Sequence, residues 1–278
     1  MRASVRSYIV AFGGLGLVAI VRTLIALGVG GPDAVVAISD IGSFTVVGLC
    51  AGAVFLSTLR LRCGERLRTT WTLVGMGVLM FALGDLTWTI IEVGLGKEVP
   101  YPGLPDLFYL AEYVFLAWAL IRLVSGFRGL LDLRSPLAIA SALTLASLAV
   151  LWFSLLQPYV LFDSSISIAE KALSSFYPIA DIVLLGMPTL VALLVVSRMG
   201  SGSLAWPWYA VATGVLLLAV SDATFSWMSA AQGYKGGAIV DYGWMAAHVM
   251  IAFGASLSID VARPVWRFAS PVFSEETA

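Results

Sequence analysis

Residues 70–95 read TWTLVGMGVLMFALGDLTWTIIEVGL, with Asp85 and Glu92 as the only formal charges. A run of this length crosses a hydrocarbon core about 30 Å thick as one helix. A carboxylate near the bilayer centre costs about 2.5–3.5 kcal/mol, so a span that keeps Asp85 has a use for it. Asp85, Trp88 and Glu92 stand at i, i+3 and i+7 and so share one helical face.

The same kind of run recurs along the chain. Of 278 residues, 60% are hydrophobic and 12% charged, about half the charge of an ordinary soluble domain. Mean hydropathy is +0.95. Apolar runs at 8–29, 35–58, 70–95, 105–126, 136–157, 172–197, 205–229 and 239–262 predict an all-α polytopic membrane protein of eight transmembrane helices. The first run follows Arg2 and Arg6 as a signal peptide would. It is longer than a signal core and no small-x-small cleavage site follows, so a membrane anchor is expected.

Basic residues set the expected orientation. With the N-terminus in the cytoplasm, Arg2, Arg6, Arg60, Arg62, Arg66, Arg68, Arg122, Arg128, Arg134, Arg198, Arg263 and Arg267 fall inside, and only Lys97, Lys171 and Lys235 fall outside. Arg22 lies within the first span. Both termini are therefore expected in the cytoplasm. A net charge of −1 gives no reason to expect nucleic acid. Cys50 and Cys63 form neither a disulfide framework nor a metal-ligand pair.

Six aspartates fall into two ordered sets. Asp40, Asp85 and Asp106 belong to spans two, three and four; Asp181, Asp222 and Asp241 belong to spans six, seven and eight. Gly84-Asp85-Leu86-Thr87-Trp88 matches Ser221-Asp222-Ala223-Thr224-Phe225, and Asp106-Leu107-Phe108-Tyr109 matches Asp241-Tyr242-Gly243-Trp244. Two parallel four-helix repeats, 1–134 and 135–263, are expected, related by an axis along the membrane normal, with a short cytoplasmic tail at 264–278. Gly48-Leu49-Cys50-Ala51-Gly52 is a small-xxx-small pattern that permits close helix approach. The prolines of 96–105 predict a stiff outer loop; its counterpart near Gly233 to Gly237 reads as softer.

With this topology all six aspartates lie toward the outside, joined by Glu92, Glu112 and Glu170. Asp106, Tyr109 and Tyr113 share a face, and Asp241, Trp244 and His248 repeat that spacing. The expected site is an outward cavity floored by carboxylates and walled by aromatic rings: Asp85 and Asp222 at the centre, with Asp106, Asp241, Asp40, Asp181, Glu92, Trp88, Tyr109, Trp244 and His248 around them. It suits a cation or a polar, hydrogen-bonding ligand. The structural alternative is equally concrete. Asp40, Asp106, Asp181 and Asp241 would cap helices, Asp85 and Asp222 would tie the halves together, the rings would form an interfacial belt, and His248 would be a bonded core residue.

Several chemistries find no residues. No lysine in span eight can form a Schiff base, and one histidine cannot ligate haem from both sides. Neither H-E-x-x-H nor G-x-S-x-G occurs, nor a phosphate-cradling glycine loop. Carboxylates could hold Ca²⁺ or Mg²⁺, but no EF-hand loop is present. Neither catalysis nor a cofactor is expected.

The motifs as a set resemble a known family. Trp71, Gly84-Asp85-x-x-Trp88, Glu92 and Pro100-x-Pro102-x-Leu104-Pro105-Asp106-x-x-Tyr109-Leu110 are similar to the multi-span N-terminal region of bacterial signalling proteins. Tyr177-Pro178-x-x-Asp181, Asp222, Gly233-Tyr234 with Gly236 and Gly237, and Asp241-x-Gly243-Trp244 continue the likeness over roughly residues 60–262. In those proteins diguanylate cyclase, cyclic-di-GMP phosphodiesterase or histidine kinase domains follow the membrane region. The resemblance implies a non-catalytic sensor whose output lies in a following domain or a partner. An accessory subunit of a membrane complex, or a transporter, are the other functions these features permit.

Overall fold

The computed structural model describes residues 3–61, 65–126, 132–198, 205–231 and 233–269. Cys63, Arg62, Arg128 and most of the tail lie outside the described residues. Among the described residues there is no β-strand, and eight helices are long and apolar enough to cross a membrane. They are α1 (Val5–Ala26), α2 (Pro32–Arg60), α3 (Arg66–Gly94), α4 (Leu104–Ser125), α5 (Arg134–Leu161), α6 (Ile168–Leu194), α7 (Trp206–Ser229) and α8 (Ile239–Val261). The chain is an all-α, multi-pass membrane protein.

Helices outrun the apolar segments because backbone hydrogen bonding continues where hydropathy fades. α2 starts at Pro32 rather than 35: proline suits the first turn, and Gly31 at φ 87° turns the chain into it. The helix that contains α8 runs on to Ala269, so the 264–278 tail begins as helix.

Six of the helices form a closed ring: α2 packs on α3, α3 on α4, α4 on α6, α6 on α7, α7 on α8, and α8 back on α2. The expected four-helix halves thus resolve into two three-helix arcs, each with one outlying span. α1 lies against α2 and α8, whereas α5 lies against α6 and α7. Only 17% of the apolar window of α1 and 28% of that of α5 is buried, against 78% for α8, an exposure compatible with lipid contact. Phe12, Ile20, Leu145 and Phe153 expose apolar side chains on those outlying spans.

Close packing within the two arcs occurs at matching places. A methyl on Gly77 would stand 2.9 Å from Leu116 Cδ2, and one on Gly214 would stand 2.7 Å from Ile251 Cγ1 and the Ala247 carbonyl. Gly77 stands to Asp85 as Gly214 stands to Asp222, and Leu116 stands to Asp106 as Ile251 stands to Asp241. The small-xxx-small pattern in α2 does not serve this way. A methyl on Gly48 or Gly52 would meet nothing within 4 Å, because the glycines face away from the ring.

Breaks in helix regularity have local causes. Pro178 has no N–H to give the Ser174 carbonyl; Ser226 Oγ on α7 donates to that carbonyl instead, at 3.1 Å. A π-helical stretch follows at Asp181–Gly186, and another covers Ile90–Gly94. At the opposite end of the bundle from these turns, Asp260 accepts from the Ser4 amide at 2.9 Å, Ser7 Oγ at 2.6 Å and Arg6 at 3.3 Å. That buried carboxylate staples the start of α1 to α8. Arg22, the charge inside α1, lies over the Tyr242 ring, 5.4 Å from its centroid.

Candidate functional site

The ring encloses a cavity of about 90 Å³ near the end closed by the 95–103 and 233–238 connections. One water needs about 10–15 Å³ on such a measure, so several fit. All six ring helices line the cavity, together with Tyr101 and Tyr234 from the two connections; α1 and α5 contribute nothing. Of the expected residues, Asp40, Asp85, Asp106, Asp222, Asp241, Trp88, Tyr109 and Trp244 line it, and Asp181, Glu92 and His248 do not.

Four of the lining aspartates each accept at least two hydrogen bonds. Asp85 accepts from Ser43 Oγ at 2.7 Å and Tyr109 Oη at 3.0 Å. Asp222 accepts from Tyr113 Oη at 2.6 Å and Trp244 Nε1 at 2.6 Å. Tyr109 and Trp244 hold equivalent positions after Asp106 and Asp241, so each arc satisfies its central aspartate from the same place. Asp106 accepts from Tyr177 Oη at 2.7 Å and the Gly103 amide at 2.6 Å. Asp241 accepts from Ser39 Oγ at 2.9 Å, Tyr234 Oη at 2.8 Å and the Gly237 amide at 2.7 Å.

Many of these bonds cross between arcs. Tyr113 of α4 serves Asp222 of α7, Tyr177 of α6 serves Asp106 of α4, and Ser39 of α2 serves Asp241 of α8. Buried polar groups are costly when unpaired, so each crossing bond resists separation of the arcs.

Asp40 differs from the other lining aspartates. It is buried, its Oδ2 meets no donor among the described residues, and its hydrogen-bonding neighbour is the carboxyl of Glu92, a contact that needs a proton on one of the two. Capping does not explain it, since Asp40 lies about two turns inside α2. Nor does it explain Asp181, which lies in mid-helix at the start of a π-helical stretch. Capping does account for part of Asp106 and Asp241, whose carboxylates take amides just ahead of their helices.

The three residues off the cavity have structural partners. Asp181 is fully buried and accepts from Tyr113 Oη at 2.8 Å. A phenol carries one hydrogen, so Tyr113 cannot donate to Asp181 and Asp222 at once, and the two contacts together need a proton on one carboxyl. Glu92 accepts from Trp88 Nε1 at 2.5 Å and adjoins the Asp40 carboxyl, so it backs two lining residues without lining the cavity itself. His248 is fully buried, with Nδ1 donating to the Trp244 carbonyl at 2.8 Å and Nε2 2.8 Å from Glu112 Oε1. It is a bonded core residue that joins α8 to α4. Glu170 leaves the cluster altogether and caps its own helix through Ser167.

The expected list lacks several residues that line the cavity: Ser39, Ser43, Phe81, Glu112, Tyr113, Tyr177, Phe225, Tyr101 and Tyr234. Helical register carried a signal for some, since Phe81 lies one turn before Asp85 and Tyr177 one turn before Asp181. The connections carried less. Tyr101 is held by Ser174 at 3.1 Å, and Tyr234 packs on Phe225 with centroids 5.1 Å apart. The second connection is therefore pinned rather than soft. Gly237 takes φ 85°, open to glycine, to aim its amide at Asp241. Burial raises both phenols above their ordinary range and keeps them protonated donors.

The lining holds six carboxyl groups and nine aromatic side chains plus Leu218, Ser39 and Ser43, with no Lys, Arg or His. Among the described residues no cluster of three or more His, Cys, Asp or Glu side chains converges to hold a metal ion. Fold and site together define a polytopic helical membrane protein built around an acidic, aromatic-walled cavity. No protein-family model, no curated protein and no solved structure matches the chain.

Proposed function

We propose that the chain is a non-catalytic membrane receptor module, built twice from one unit, that binds a small polar or cationic ligand in the ring cavity. The observation that carries this reading is a cavity lined by all six ring helices in which one buried carboxyl, Asp40, meets another carboxyl where the other four lining aspartates meet protein donors. The bias of basic residues toward the opposite end supports a cavity facing out of a bacterial inner membrane, with both termini in the cytoplasm. The likeness of the motifs to membrane sensor regions supports the same reading, with output through a following domain or a partner.

Ligand would act on the contacts between arcs. Tyr113, Tyr177 and Ser39 each join a cavity carboxylate to the other arc, so a ligand that changes these bonds favours one relative tilt. It can do so only by binding the two tilts with different affinity. The test is thermal unfolding of purified protein against inorganic cations, amines and polyols, for wild type and for Leu218→Trp, which fills the cavity without removing a hydrogen bond. At least one compound should raise the wild-type midpoint by several degrees and leave the filled variant unmoved. Equal shifts in both proteins, or none in either, would defeat the receptor reading.

A further inference from the structure

The chemistry of the cavity narrows its ligand to one class, given the receptor reading above. Three observations converge on Asp40. It is 7% exposed, lines the cavity, and has an oxygen without a donor. It lies against a second carboxyl, that of Glu92. Two carboxyls in contact must share a proton or meet a positive or donating group, and an arriving cation would take the place of that proton. No cationic side chain lines the cavity to do so. The other lining carboxylates are held by protein donors, and among the described residues no three acidic side chains converge to begin the six to eight oxygen contacts that Ca²⁺ requires.

The walls discriminate further. Trp88 stands edge-on to Tyr234 at 6.2 Å, Phe225 lies 5.5 Å from Trp244, and Phe81 lies 4.9 Å from Tyr109. Ring faces attract a diffuse cation, and more strongly when water is excluded. A neutral polyol can donate to Asp40, but it brings no charge to replace the proton of the carboxyl pair and gains no cation–π attraction from the rings. We infer that the ring cavity takes a small organic ammonium, its charged head at Asp40 and its substituents against the aromatic walls.

Calorimetric titration of the full chain in lipid nanodiscs tests this with choline, tetramethylammonium and 3,3-dimethylbutan-1-ol, the neutral carbon isostere of choline. Wild type should bind the two ammonium compounds and bind the isostere at least tenfold more weakly. Asp40→Asn should weaken choline at least tenfold. It should leave the unliganded unfolding midpoint unchanged or higher, because an amide can donate where a carboxylate cannot. An isostere bound as tightly as choline overturns the ammonium assignment, and so does unchanged choline affinity in Asp40→Asn. The isostere comparison uses wild type alone and stands whether or not the variant folds. If a neutral compound protects wild type but not Leu218→Trp, the receptor reading survives and the ammonium class falls. If no compound binds, both fall.

Discussion

Tyr113 directs its hydroxyl from α4 across the ring to carboxylates of α6 and α7, at 2.8 Å and 2.6 Å. Its importance differs from that of Tyr109, which also serves a carboxylate. Apart from Tyr113, Asp181 meets the carboxyl of Asp222, whereas Asp85 keeps the hydroxyl of Ser43 when Tyr109 is lost. Tyr113→Phe should therefore destabilise by about 1–3 kcal/mol, the range for leaving a buried acceptor unpaired, and Tyr109→Phe by less. Denaturant unfolding in detergent compares them; equal losses would show that Asp181 does not depend on Tyr113. At this scale the sequence exposed residue types and faces but not partners. Of Asp85, Trp88 and Glu92, read as one face, only the first two line the cavity, and Glu92 meets Trp88 and the Asp40 carboxyl behind it.

Between elements, backbone approach decides what a glycine is worth. Gly214 faces the Ala247 carbonyl of α8, a backbone atom that cannot rotate away, while Gly48 faces open space. Gly214→Val should cost about 1–3 kcal/mol through overpacking, and Gly48→Val well under 1 kcal/mol. Midpoints of thermal unfolding read the contrast, and a larger loss at Gly48 would mean that α2 packs through its small-xxx-small face after all. The attachment of α1 makes a second case. Asp260 takes hydrogen bonds from Ser4 and Ser7 where α1 begins. Asp260→Ala should release that end: a Ser7→Cys reporter, buried in the parent, should react faster with a water-soluble maleimide. Unchanged labelling would show that apolar packing alone holds α1.

Across the whole molecule, the arcs meet through polar contacts that seal α4 to α6 and α8 to α2. The Glu112–His248 pair adds a buried link at 2.8 Å. Two chains divided in the 126–133 connection, each carrying four spans, should co-purify when expressed together. Combining Tyr113→Phe, Tyr177→Phe and Glu112→Leu should lower the recovered complex several-fold, because each change removes a bond between arcs. Full recovery of the triple variant would assign the joint to packing alone.

Hydropathy and length determined the class of fold without help, because a bilayer admits helices or closed barrels and apolar runs of about 20 residues fit only the helix. Eight apolar runs could be counted along the chain, and the two ordered sets of aspartates pointed to the end of the bundle that matters. Which aspartates are struts and which is left open was decided only in three dimensions. Asp40 and Asp106 are alike as letters; one meets a carboxyl and the other a phenol and an amide. That difference is set by how helices far apart in sequence pack into a ring. The same packing moved α1 and α5 outside it, His248 into the core, and the tyrosines of two connections onto the cavity. Local periodicity carries the direction of a side chain from its own helix, but not the identity of what stands opposite.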